Sequence, residues 1–99
     1  MKMNIKILKL ITGEEIIGEV TLEDETLITL KNPLAIVIRP SQDGFTFGFM
    51  PWCSLIEGER LVSIGLSNVV TMGNPTDEVK NTYSSMFGGI VTPPKQLIV

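Results

Sequence analysis

The sequence predicts a mainly β fold: a small, five-stranded, strongly bent antiparallel open barrel, followed by a single helix. Three features of the chain point there. Short segments alternate apolar and polar residues with period two, the pattern of strands with one buried face. Glycine, proline and acidic turn residues break the chain between those segments at short intervals, as antiparallel hairpins require. Only one stretch, from Val79 to Phe87, changes to the period of an amphipathic helix.

The first strand runs from Ile5 to Thr12, with Lys6 and Lys9 interrupting an apolar run. The second spans Glu14 to Glu23. Ile16, Gly18, Val20 and Leu22 face one side, and Glu15, Ile17, Glu19, Thr21 and Glu23 form a mostly acidic outer face. Gly18 sits where a sheet bends sharply or lets another backbone approach. Glu23-Asp24-Glu25 makes a polar turn, and a longer third strand covers Thr26 to Arg39. Pro33 lies inside it, which implies an edge or a bulge. Asp43-Gly44 marks a tight hairpin. The fourth strand, Phe45 to Met50, carries Phe45, Phe47 and Phe49 on one face and ends at Pro51. After a Glu57-Gly58-Glu59 turn, the fifth strand covers Leu61 to Met72. Asn74 or Thr76 can cap the helix, Pro75 suits its first turn, and Asp77 and Glu78 complement the positive end of its dipole. Val79, Tyr83, Met86 and Phe87 form one apolar stripe, and Gly88-Gly89 stops it. Residues 1–73 are thus expected to form the barrel, 74–89 a helix packed on it or on a neighbour, and 90–99 an extended tail.

Composition narrows the function classes. Ninety-nine residues suffice for one domain with one core. Eight Lys and Arg against eleven Asp and Glu leave a net charge of −3. Such a chain has no general attraction for nucleic acid, so any such contact must be local. The absence of histidine excludes His-based acid–base chemistry, Ser-His-Asp and Cys-His nucleophiles, and the usual zinc sites. Glu14, Glu15, Glu19 and Glu23 lie on a plain strand face and its entry; neither an acid–base pair nor a cofactor or metal motif can be assembled, so no enzyme is expected. The single cysteine, Cys53, excludes an internal disulfide and reads as an inert thiol. No signal peptide precedes the first strand, and no apolar run approaches the roughly 20 residues of a membrane span, so a soluble cytoplasmic protein is expected. Yet 43% of the residues are hydrophobic and only 19% charged. A domain this small cannot hide that much apolar surface alone, and the most economical partner is another copy.

One stretch adds a family resemblance. From Leu10 through Gly13, Gly18 and Val20 to Asp24, two glycines stand five residues apart and an aspartate follows six later. This pattern resembles the first signature of the Sm-like proteins, whose small bent barrels, SH3-like in form, assemble into rings that in many cases bind RNA. The resemblance covers residues 5–72, with Leu30 on a position the family keeps apolar. Thr26 and Ile28 stand where the family usually carries a stacking side chain and an asparagine. The second signature, an apolar strand ending in Arg-Gly, is missing; Phe49-Met50-Pro51-Trp52 and Ile64-Gly65-Leu66 are both candidates for its place. The family's helix precedes the first strand, whereas here it follows the last. The chain looks like a divergent member, similar to Sm-like proteins carried by phages.

The resemblance implies a homo-oligomeric ring of about five to eight subunits, in which the fourth strand of one pairs with the fifth of the next. Phe45, Phe47, Phe49, Val62 and Ile64 are then the interface residues. The loops carrying Asp24 and Met50-Pro51-Trp52 would line one face of the pore, making Asp24, Thr26, Met50 and Trp52 the candidates for contact with single-stranded RNA. Plainer roles stand beside these. Asp24 can cap its own turn, and Trp52 can be an interface anchor or a lid on the core. The phenylalanines can be core, and Lys31 and Arg39 solvated cations. Gly13 and Gly18 are structural in either case, and Tyr83 belongs to the helix packing. The expected function is RNA binding by the ring; the alternative is an assembly scaffold that has lost its RNA pocket.

Overall fold

In the computed structural model, which describes residues 4–53, 55 and 60–87, the alternating segments form one antiparallel, open sheet. Its strands are β1 (Ile5–Leu10), β2 (Glu15–Glu23), β3 (Leu27–Ser41), β4 (Gly44–Pro51), β5 (Leu61–Gly65) and β6 (Val69–Gly73), and helix α1 (Asp77–Phe87) follows. The order across the sheet is β4-β3-β2-β1-β6, with β5 also paired to β3.

The long strand β3 organises the sheet. One edge pairs with β2; on the other, β5 takes Leu27 to Lys31 and β4 takes Leu34 to Ser41. β4 and β5 are therefore two halves of one barrel strand, and the five-stranded barrel is present with its fourth strand interrupted. The gap falls opposite Asn32 and Pro33. Asn32 has a positive φ of 52° and donates its N–H to the Arg60 carbonyl at 3.0 Å. Pro33 is fully buried and has no N–H to leave unpaired. The proline marks a break in the ladder on this edge, as its place inside a strand implied.

The expected fifth strand, Leu61 to Met72, is two strands. A 3-10 turn at Leu66–Asn68 divides it, with β5 on β3 and β6 on β1. A segment that changes neighbours at a barrel corner cannot stay straight, and period-two alternation does not reveal the corner. Hydrogen bonds fix it on both sides: Leu66 N–H donates to the Thr26 carbonyl (2.8 Å), and Ile11 N–H donates to the Asn68 carbonyl (2.9 Å).

Two apolar layers result. Inside the barrel, Leu8, Leu10, Ile16, Ile28, Leu30, Val62 and Ile64 form the inner core. On the outside, Ile5, Ile17, Leu34 and Tyr83 form a second cluster, flanked by Phe49, Val79 and Phe87. Ile17 was expected on the acidic outward face and is instead fully buried, because α1 lies over that part of the sheet. Gly18 fits a close approach: a Cβ there would lie 3.1 Å from Leu30 Cβ and 3.4 Å from the Lys31 carbonyl oxygen, so a larger residue would need Leu30 to give way by a few tenths of an ångström. The β2–β3 register shifts at this point, so the glycine also marks the bend.

The helix starts as its sequence directs. Thr76 accepts the Val79 N–H on its hydroxyl at 3.4 Å, and Asp77 and Glu78 occupy the first turn. Val79, Tyr83 and Phe87 pack on the sheet, while Met86, assigned to the same stripe, stays 54% exposed. Tyr83 is fully buried, and its hydroxyl donates to the Asn32 carbonyl at 2.8 Å, with the Lys31 carbonyl at 3.1 Å. The helix is thereby fastened to the irregular point of β3. The Gly88-Gly89 stop, the 90–99 tail and the Glu57-Gly58-Glu59 turn lie outside the described residues. Among the described residues no helix is long and apolar enough to cross a membrane.

Candidate functional site

Asp24 stands in the β2–β3 turn, where its side chain organises the local backbone. Oδ1 accepts the N–H groups of Thr26 (2.8 Å) and Leu27 (2.9 Å), and the Thr26 hydroxyl at 3.2 Å. The two backbone donors, Thr26 first and then Leu27, favour the charged form and hold this carboxyl below the usual carboxylate range. The plainer reading of Asp24 is thus directly visible: it caps its own turn. Thr26 uses its N–H and its hydroxyl on the same oxygen.

The Thr26 carbonyl joins this turn to the corner after β5 by accepting the Leu66 N–H. Ile64-Gly65-Leu66, one of the two candidates for the second signature, is therefore the one adjoining the Asp24 turn. Of the other candidate, Phe49, Met50 and Pro51 lie farther along β3, since Pro51 pairs with Leu34 and Gly65 with Leu27, and only Trp52 comes back to this corner. At the corner stands Asn68, exposed, with its side-chain nitrogen 3.4 Å from where a Cβ on Gly65 would be. Its amide offers both a donor and an acceptor, the kind of group absent at Ile28. Sequence reasoning missed it. The available signal was an asparagine three residues after Gly65, at the break between two apolar strand segments.

Trp52 approaches the same corner from another direction. It is half-buried against the inner core, and its Nε1–H donates to Glu14 Oε2 at 3.2 Å. The Thr12 hydroxyl donates to the other oxygen of Glu14 at 3.0 Å, so one carboxylate ties the β1–β2 turn to the tryptophan. Between them and the 3-10 turn lies a cleft of about 380 Å³, lined by Ile11, Ser63, Gly65 and Asn68 among others. No Lys or Arg lines it among the described residues. Glu23, Asp24 and Glu25 stand exposed at the neighbouring turn, so this end of the barrel is acidic. Met50 does not line the cleft; it stands half exposed near the end of β4, opposite Ala35.

The residues assigned to the subunit interface separate into two groups. Val62 and Ile64 are 8% exposed and belong to the inner core. Phe49 packs edge-on to Tyr83, with ring centroids 6.3 Å apart, and Phe47 follows it at 5.5 Å. Phe45 is 72% exposed. Among the described residues, the outer edges of β4 and β6 have no strand partner. Exposed apolar side chains accompany these edges: Met50 on β4 and Val70 on β6.

No curated protein matches this chain. A family model does: that of the Sm_like domain matches residues 7–84, from within β1 to the third turn of α1. The matched span takes in the two glycines, the Asp24 turn, the interrupted fourth strand and the 3-10 corner that leads to the last strand. With its bent antiparallel sheet and this match over most of its length, the chain belongs to the Sm-like family.

Proposed function

We propose that this protein works as a homo-oligomeric Sm-like ring that binds single-stranded RNA near the pore, without catalysing a reaction. The observation that carries the reading is the hydrogen bond from Leu66 N–H to the Thr26 carbonyl. It holds the Asp24 turn of the first signature against the Ile64-Gly65-Leu66 corner, one of the two candidate places for the second, and Trp52 from the other loop that the resemblance brings to the pore stands at the same corner. The open edges of β4 and β6 support assembly. A strand edge with unpaired N–H and C=O groups is covered most economically by the complementary edge of a second copy, and repetition closes a ring of about five to eight chains. At the loops, the Asn68 amide and the Trp52 ring supply hydrogen-bonding and stacking groups, the two kinds of contact single strands use.

The acidic surroundings favour a second reading, in which the ring is an assembly scaffold for protein partners. Glu14, Glu23, Asp24 and Glu25 oppose phosphates, and the cleft beside Asn68 contains no cation to offset them among the described residues. Native mass spectrometry of protein purified without nuclease tests both readings. A ring mass with extra mass removable by ribonuclease, and retention on single-stranded RNA that weakens with salt, is the expected result. A bare ring that ignores RNA at low salt selects the scaffold. A monomer at micromolar concentration rejects both.

A further inference from the structure

The outer apolar layer does not end where the helix ends. At Phe49 and Ile17 the sheet face is covered by Tyr83 and Phe87. Past the first turn of α1 the same face continues uncovered among the described residues, as a groove of about 290 Å³ between the β3–β4 hairpin and the start of the helix. Ile38, Phe45, Phe47 and Val79 form its apolar walls, with Glu15 and Glu78 on the rim. Ile38 is 53% and Phe45 72% exposed, a cluster of large side chains that a small protein does not ordinarily leave in water. Glu15 meets only Lys9 among described cations, at 3.9 Å, and Glu78 has no ion-pair partner among the described residues.

We propose that this groove is the docking site of the same chain's residues 90–99, which lie beyond α1. Three features of the sequence fit the groove. Leu97-Ile98-Val99 supplies an apolar anchor, and Lys95, two residues earlier, is the only charged residue after Lys80 and has the sign that the acidic rim attracts. Gly88-Gly89 permits the chain to reverse after the helix, and Pro93-Pro94 favours an extended run with no N–H groups to satisfy. The reach is sufficient. The helix of 11 residues is about 16 Å long, and the ten residues from Gly88 to Leu97 span up to ~33 Å when extended. The segment can return along its own helix to the groove at the helix start with length to spare. A tether this short gives an effective concentration in the millimolar range, which favours the chain's own segment over that of a neighbour.

Hydrogen exchange read by mass spectrometry tests this directly. The full chain is compared with a chain ending at Gly89 and with a full-length Leu97→Asp/Ile98→Asp variant, which keeps the backbone and removes the anchor. In both variants, exchange over 36–47 and 76–80 should rise several-fold, while β1 and β2 stay as in the parent. Lys95→Glu should give a smaller rise in the same segments. Unchanged exchange over 36–47 in both anchor-less chains would overturn the proposal. Isotope-labelled chains ending at Gly89, mixed with full-length ones, identify the donor: the labelled chains should remain unprotected, and their protection would mean that a neighbour supplies the segment, which also refutes it.

Discussion

Ile16 and Ile17 are neighbours in β2 and both are fully buried, yet they belong to different cores. Ile16 faces the barrel interior, where every buried member of the cluster comes from a strand. Ile17 faces outward, into a layer that exists only because α1 lies across the sheet and Tyr83 reaches the Asn32 carbonyl. The inner core follows from alternation within successive strands. The outer one depends on a contact between segments some fifty residues apart, as the Tyr83–Asn32 bond illustrates. A single strand thus carries one face that any bent hairpin sheet would bury and one that would be solvated without the helix.

That contrast can be broken most forcefully at Ile17. An Ile17→Asp substitution places a charge under the helix with no partner, and should destabilise the fold by more than ~4 kcal/mol, nearly as much as Ile16→Asp in the interior. Urea denaturation followed by Trp52 fluorescence measures both. If Ile17→Asp melts like the parent, the outer layer is not a core, and the acidic-face reading of β2 is restored.

A finer cut removes only the helix's hydrogen bonds. Tyr83→Phe keeps the ring against Phe49 and Phe87 but leaves the Asn32 and Lys31 carbonyls without their donor, at a cost of roughly 1–3 kcal/mol. The same residue gives the outer layer an alkaline dependence. Burial first, and the nearby Glu19 charge second, push the phenol's pKa well above its ordinary value. The folded chain therefore holds a proton that the unfolded chain releases near pH 10. The stabilisation is complete below that pH and falls as the pH rises beyond it. Tyr83 is the only tyrosine, so phenolate absorbance reports this group alone. Titration at the free-tyrosine pH in the folded protein would contradict the burial, and the alkaline loss should be absent in Tyr83→Phe.

The smallest expected effect lies at the polar end, on Asp24. Its lowered pKa has the opposite sign, so its contribution is present above the ordinary aspartate range and is lost as the pH falls through the lower folded value. Asp24→Asn retains an oxygen for the two backbone donors without the charge. It should lower neutral stability slightly and leave the stability in strong acid nearly unchanged, so that the acid limb of the profile flattens. An acid limb identical to the parent's would show that the turn does not sense this charge.

Much of the fold was legible in the chain because it rests on local rules. The alternation of Ile16, Val20 and Leu22 against Glu15, Glu19 and Glu23 identified β2, and Gly18 announced the bend that the Leu30 contact enforces. Pro33 signalled an irregularity in β3. Thr76, Asp77 and Glu78 marked the start of the helix. The candidate site was less legible. The resemblance brings the loops of Trp52 and Asp24 to one face, but it does not reveal that the indole N–H is held by Glu14. Asn68 went unnoticed because its place is created by the crossing from β3 to β1. Val62 and Ile64, on a strand that the resemblance assigns to the interface, turn their side chains into the core, which alternation alone does not distinguish.

By itself, the sequence determined a bent antiparallel sheet with a helix after it, the turn built on Asp24, and the Sm-like signature from Leu10 to Asp24. Those features depend on backbone geometry and residues close in the chain, where side-chain period, glycine and capping chemistry act directly. Only the tertiary structure decided that the last apolar run would split at Leu66–Asn68, that the fourth strand would pause opposite Asn32, and that α1 would turn the outer face of β2 into a second core. Each of those depends on which distant backbone groups are left to be paired and which apolar face is left to be covered, and such demands appear only once the strands have met.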